Sequence, residues 1–163
     1  MVLRAVVTAV DDSGGLQTVS VVTKNEKALD GIEVFRAYGF TSHPLVGSEG
    51  ILLRIGGDSS HPVFICADDR RYRTKANMPG EVGLYSHEGD TLIFKEGNLL
   101  DVVCATKVTV TCPDVVVKSS NKIVLDTPNV DVPNGDITVS GISFLNHVHG
   151  GVQAGGADTD VPK

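Results

Sequence analysis

Residues 108–139 repeat a unit too short to fold by itself. Val108-Thr109-Val110 runs into Pro113-Asp114, Val115-Val116-Val117 into Ser120-Asn121, and Ile123-Val124-Leu125 into Pro128-Asn129. Val130-Asp131-Val132 then leads to Asn134-Gly135-Asp136, and Ile137-Thr138-Val139 to Ser140-Gly141. Each unit is an apolar-x-apolar strand of about seven residues with its turn, a period that signals a stack. Alternation along a strand sends the two outer side chains of a unit to one face, and two such residues cannot make a core. A single-chain β-helix needs a much longer coil to go around once. Three chains wound about one axis solve the problem, each giving one short strand per layer. Val108, Val110, Val115, Val117, Ile123, Leu125, Val130, Val132, Ile137 and Val139 then fill the axis. At about 25 cal/mol per Å2 of apolar area that core is strong only as an assembly, and closure removes exposed sheet edges. The competing arrangement is an antiparallel meander within one chain.

Upstream, the pattern is that of a small barrel. Hydrophobic residues are 41% of the chain, yet aromatics are 5% and Trp is absent, so the apolar content is mostly aliphatic. Branched side chains favour a pleated surface. Strand-like runs cover Leu3 to Val10, Gln17 to Thr23, Ile32 to Phe35, Ile51 to Ile55 and Val63 to Ala67, separated by Gly-, Ser-, Asp- and Pro-rich turns. Five strands with no helical period predict an all-β chain with an N-terminal OB-fold barrel. Phe35, Phe64 and Tyr85 fall inside strand runs and read as core or half-core residues. From Gly80 to Phe94 the chain reads as strand, turn, strand. The expected division is a collar over 1–88, a trimeric β-helical shaft over 89–141 and a tip over 142–163. Cys66, Cys104 and Cys112 have no metal-type spacing and read as small buried thiols of a reducing compartment.

The formal net charge of -6 argues against binding driven by phosphate neutralisation. The one basic cluster, Arg70 to Lys75, reads as a solvated loop or a contact with an acidic protein surface. No apolar run is long enough to cross a bilayer as a helix, and Arg4 with Asp11-Asp12 breaks any signal-peptide layout, so folding in the cytoplasm is expected. His43 and His61 each precede proline and fall in extended loops; His87 sits in a polar turn beside Glu88 and Asp90.

The candidate site is the pair His147 and His149 in Asn146-His147-Val148-His149-Gly150-Gly151. Two positions apart on an extended chain, both rings project to one face. One chain supplies two ligands, too few for a tight structural site. Three-fold symmetry supplies six imidazoles, which suit an octahedral divalent transition metal such as iron, cobalt or nickel better than tetrahedral zinc. A saturated shell leaves no position for substrate, so the ion would act as a pin. Gly150 and Gly151 allow the chain to reverse after the ligands, and Val152 to Gly156 could pack back over the tip.

The tail from Asn146 to Gly156 resembles the apex of central spike proteins of contractile phage tails. The segment Gly80 to Tyr85, continuing through Glu88-Gly89-Asp90, is similar to the barrel-to-shaft junction of the Mu-type, gpV-like baseplate assembly group. With the repeat between them, the resemblance spans essentially the whole chain and is most specific at the HxH-Gly-Gly tail; Ala154 stands where that group often has proline. It implies a non-enzymatic homotrimeric virion component, of a phage or a phage-derived bacteriocin. An OB-fold collar would dock on the baseplate hub, and a β-helical shaft would be driven through the host outer membrane on sheath contraction. At the apex, His147 and His149 of each chain would bind one iron ion per trimer. Two other classes stand beside it. A metal-dependent hydrolase would use His147 and His149 with Asp158 or Asp160 and needs an open metal position. An OB-fold nucleic-acid or sugar-binding module needs exposed aromatics on the barrel face.

Overall fold

The computed structural model describes residues 1–25, 27–58, 60–75, 78–148 and 150–151. It is all-β, and its described residues carry no α-helix. Strands β1 (Val2–Asp11), β2 (Thr18–Thr23), β3 (Ala28–Phe35), β4 (Glu49–Arg54) and β5 (Pro62–Asp68) close a barrel in the order β1-β2-β3-β5-β4. All pairings are antiparallel except β3 with β5, the single parallel step of an OB-fold. Each of the five expected strand runs is a strand here. The β1–β2 hairpin turns where Asp11 Oδ1 accepts from the Ser13 amide (2.9 Å) and hydroxyl (2.6 Å), the local hydrogen bonding that makes Asp a turn former.

The barrel core is Ala5, Val7, Val19, Val21, Ile32, Val34, Leu52 and Phe64. Aliphatic residues supply seven of its members, and Phe64, 0% exposed, is its only aromatic. The ring has room because β4 carries Gly50 opposite it: a Cβ there would lie 2.3 Å from Phe64 Cζ. At the same level β4 and β5 lose register between Glu49 and Ile51, with Cys66 at φ +56°. This is a β-bulge, two residues of β5 against one of β4.

The bulge explains one correction. By alternation Cys66 would share the inward face of Phe64, but the positive φ re-aims it and the thiol is exposed. Cys104 and Cys112 are exposed as well, their thiols donating to the carbonyls of Lys107 and Asp114 (both 3.2 Å). None of the three is the buried residue expected. Phe35 and Tyr85 also differ from core residues: both are exposed, and Phe64 alone of the three fills the barrel.

After the barrel, β6 (Val82–Tyr85), β7 (Thr91–Lys95) and β8 (Leu99–Val103) form an antiparallel sheet. The expected strand, turn, strand is β6–β7, so residue 88 lies in a turn within one sheet. The third strand went unread in the sequence, although Gly97 and Asn98, at φ +82° and +60°, mark the turn before it.

The chain divides into two compact units, Met1–Thr111 and Cys112–Lys163. Among the described residues, 104–137 form no strand and no ladder. The within-chain meander is therefore not what these repeats adopt. All ten axis candidates are exposed, from 40% at Val132 to 70% at Val110. Full burial of a Val, Leu or Ile contributes about 1.5–3 kcal/mol, so on the order of 10 kcal/mol per chain is left unrealised. Among the described residues, no contact within the chain buries these side chains.

Candidate metal centre

The tip hairpin is β9 (Thr138–Val139) against β10 (Ile142–Ser143). Its two-residue turn, Ser140-Gly141, has φ of +50° and +83°, the paired positive values a type I′ turn demands. Only glycine takes such a φ at little cost, which is why Gly141 stands there.

One carboxylate, that of Asp136, organises residues 143–147. Asp136 Oδ1 accepts from the Leu145 amide at 3.1 Å. Hydrogen bonds from the Ser143 hydroxyl, and then from the amides of Leu145, Ile137 and Phe144, hold the Asp136 carboxyl below its usual range, since they favour the charged form. The Phe144 amide also donates to the Ile137 carbonyl (2.9 Å), and the Asn146 amide to Ser143 Oγ (2.8 Å). These bonds wind the segment into a tight turn at the hairpin's open end.

His147 sits on that turn. Its Nδ1 lies 3.0 Å from the Phe144 carbonyl oxygen; a carbonyl can only accept, so Nδ1 carries the proton. A backbone acceptor on Nδ1 is the arrangement by which metal-ligating histidines direct Nε2 to the metal. The Phe144 ring meets the imidazole edge-on at 6.4 Å. The geometry at His147 fits a metal ligand. His149 lies outside the described residues, as do Asp158 and Asp160. Among the described residues of one chain, no three His, Cys, Asp or Glu side chains converge; any site using His147 has to draw further ligands from elsewhere.

The other sequence candidates are separate. His43 Nδ1 is 3.6 Å from Asp12, and His61 Nδ1 is 2.9 Å from Ser60 Oγ. His87 meets the Tyr72 ring edge-on at 5.8 Å. The basic cluster is partly consumed in ion pairs: Arg70 Nε bonds Glu49 at 2.8 Å. Arg71 holds Asp69 through Nε (2.9 Å) and Nη2 (2.6 Å), and donates to the Val46 carbonyl (2.8 Å). The Arg71 guanidinium pulls the Asp69 carboxyl down to about 2. Arg71 thus clamps the loop after β5 to the segment before β4, where Ser48 Oγ donates to Asp69 (3.3 Å). Sequence reading missed this clamp; the acidic Asp68-Asp69 directly before the arginines was its signal.

A closed OB barrel, an exposed valine-rich repeat and a C-terminal hairpin leading to His147 define an all-β protein built on an N-terminal barrel. Comparison with known proteins says which. Residues 4–71 match the family model "Bacteriophage Mu Gp45, N-terminal", and residues 141–163 match the "GpV Apex motif". The chain is 27% identical over 178 residues to the "Baseplate puncturing device gp45" of Escherichia phage Mu, covering 95% of this chain and 86% of that protein. It is 33% identical over 159 residues to the "Mu-like prophage FluMu protein gp45" of Haemophilus influenzae, covering 91% and 86%. The chain belongs to the bacteriophage Mu Gp45 family.

Proposed function

We propose that this protein is the homotrimeric central spike of a contractile tail baseplate, in a phage or a phage-like bacteriocin, and that it pierces the host outer membrane when the sheath contracts. The observation that carries the reading is the exposure of all ten rung residues in a chain whose tip matches the apex motif. A relative described as a baseplate puncturing device supports the same role. The division proposed is a collar over 1–88 that docks on the hub, a shaft over 89–141 and a tip over 142–163. The protein is assembled in the host cytoplasm, becomes part of the virion and is not an enzyme.

At the tip, His147 and His149 of three chains hold one iron ion. Bound there, the ion supplies a cross-link between chains where the rung core runs out. The chain's own contribution is to fix the His147 ring through Phe144 and the Asp136 carboxylate.

The nucleic-acid or sugar-binding reading keeps one observation: Phe35 at the end of β3, and Tyr38 and Phe40 in the loop after it, are exposed. Against it stand the internal pairing of Arg70 and Arg71 and the net charge of -6.

Native mass spectrometry with elemental analysis decides among the three. Three chains and one iron ion per particle are expected. One metal per chain, with hydrolysis lost on chelation, would establish the enzyme instead. A stable monomer in dilute solution would remove both the shaft and its ion.

A further inference from the structure

The barrel and the sheet β6–β8 belong to one compact unit, yet no ladder joins them. Among the described residues, β1–β5 pair with one another and β6–β8 with one another. A cavity of about 290 Å3 lies between the two, with Pro44, Leu45 and Ala67 on the barrel side and Ser86 and His87 on the sheet side. Two bodies in one chain move relative to each other unless a large apolar interface holds them. Two side-chain pairs cross here instead. Tyr85, the last residue of β6, donates to Oδ1 of Asp68, the last residue of β5, at 3.0 Å. The His87 ring meets the Tyr72 ring edge-on at 5.8 Å.

Each half of this joint is braced by bonds of its own. On the barrel side, the Tyr72 and Arg73 amides donate to the Asp69 carbonyl (3.2 and 2.9 Å), and the Arg71 fork holds the Asp69 carboxylate, so residues 69–73 form a fixed bracket beside Asp68. On the sheet side, the turn that carries His87 is closed by the Ser86 amide on the Asp90 carbonyl (3.0 Å). Ser86 Oγ donates to Asp90 Oδ2 (3.1 Å) and accepts from the Glu88 and Asp90 amides (3.3 and 3.2 Å). A single contact between two braced parts leaves a swivel; two contacts, on different residues of each part, fix the angle. The Tyr85 bond is the stronger kind, made to a carboxylate, and an edge-on ring pair adds to it.

We infer that Asp68, Tyr72, Tyr85 and His87 are positioning residues that fix the angle between the barrel and the sheet, and that a push on the collar reaches the shaft through them. The inference rests on the spike reading and deepens it by naming the load path. That path runs from β5 through Asp68 to Tyr85 and β6, then across the β6–β7 and β7–β8 ladders towards the rungs. Removing the Tyr85 oxygen deletes the hydrogen bond and leaves the ring. The barrel and the sheet then keep their own ladders, and the collar gains a swivel about the remaining ring contact.

The test uses the full chain with Cys66, Cys104 and Cys112 replaced by serine, positions that are exposed. One cysteine is returned as Gly15→Cys in the β1–β2 turn, where a Cβ meets nothing within 4 Å, and it carries a nitroxide spin label. Each trimer then holds one label per collar, and double electron–electron resonance reads the distance distribution between collars. A narrow distribution is expected in this parent, broadened about twofold by Tyr85→Phe and by His87→Ala as the joint loosens. Tyr38→Phe, at a fully exposed site, should leave it narrow. A trimer whose distribution is as narrow in both joint variants as in the parent, or already as broad in the parent, overturns this inference and leaves the spike standing. A monomeric parent by native mass overturns both.

Discussion

Gly50→Ala should damage the barrel far more than a single methyl group suggests. The added Cβ would lie 2.3 Å from Phe64 Cζ, 2.8 Å from Cε2 and 2.9 Å from Cε1. Carbon atoms rest at about 3.5–4.0 Å, so ring and backbone must part by more than about 1 Å. The ring cannot step aside, because Phe64, Leu52, Val7 and Val21 are all fully buried. The backbone is equally pinned, with Gly50 paired to Ala5 of β1 and lying at the β4–β5 bulge. Overpacking costs about 1–3 kcal/mol, and this clash belongs at the upper end. For a domain of this size that lowers the barrel's melting midpoint by roughly 10–20 °C. Calorimetry of the full chain reads it, with Gly15→Ala as control, since a Cβ at Gly15 meets nothing within 4 Å. Phe64→Leu on the Gly50→Ala background should relieve the clash, with a coupling of about 1 kcal/mol or more. A Gly50→Ala protein within about 0.5 kcal/mol of the parent would show that Phe64 does not fill the barrel as described.

The clamp and the tip give three further expected outcomes. Asp69 has its carboxyl lowered to about 2 by Arg71; a depressed folded value contributes stability above the unfolded value near 4 and loses it as pH falls from about 4 to 2. The parent's midpoint should therefore drop more steeply across that window than the Asp69→Asn variant's, and parallel curves would refute the clamp. On the proposed spike reading, in which the rungs carry the assembly, replacing His147 and His149 together by alanine should abolish bound metal and leave the trimer intact; monomers on native mass spectrometry would place the stability at the tip. Asp136→Ala strips the acceptor from the Leu145 amide and should lower metal content by elemental analysis with no change in trimer mass. Unchanged iron would mean that the hairpin positions His147 without this carboxylate.

The barrel was legible because its strands alternate and its turns are spelled in Gly, Ser, Asp and Pro. Those signals are local, and all five runs became strands. The repeat over 108–139 stood out by a period too short for a one-chain core; the structure gives residues 104–137 no ladder, and how they pack belongs to the proposed assembly. The HxH pair stood out as a motif, but the support of its turn did not, because Asp136 reaches the Leu145 amide only across the I′ hairpin, while Phe144 meets His147 locally. Cys66 shows the limit most plainly. Strand period alone sends it inward; the bulge opposite Gly50 sends it out. Periodicity and turn chemistry, carried by neighbours in the chain, determined the elements. Bulges, register and the choice of face depend on atoms distant in sequence, and the tertiary structure decided them.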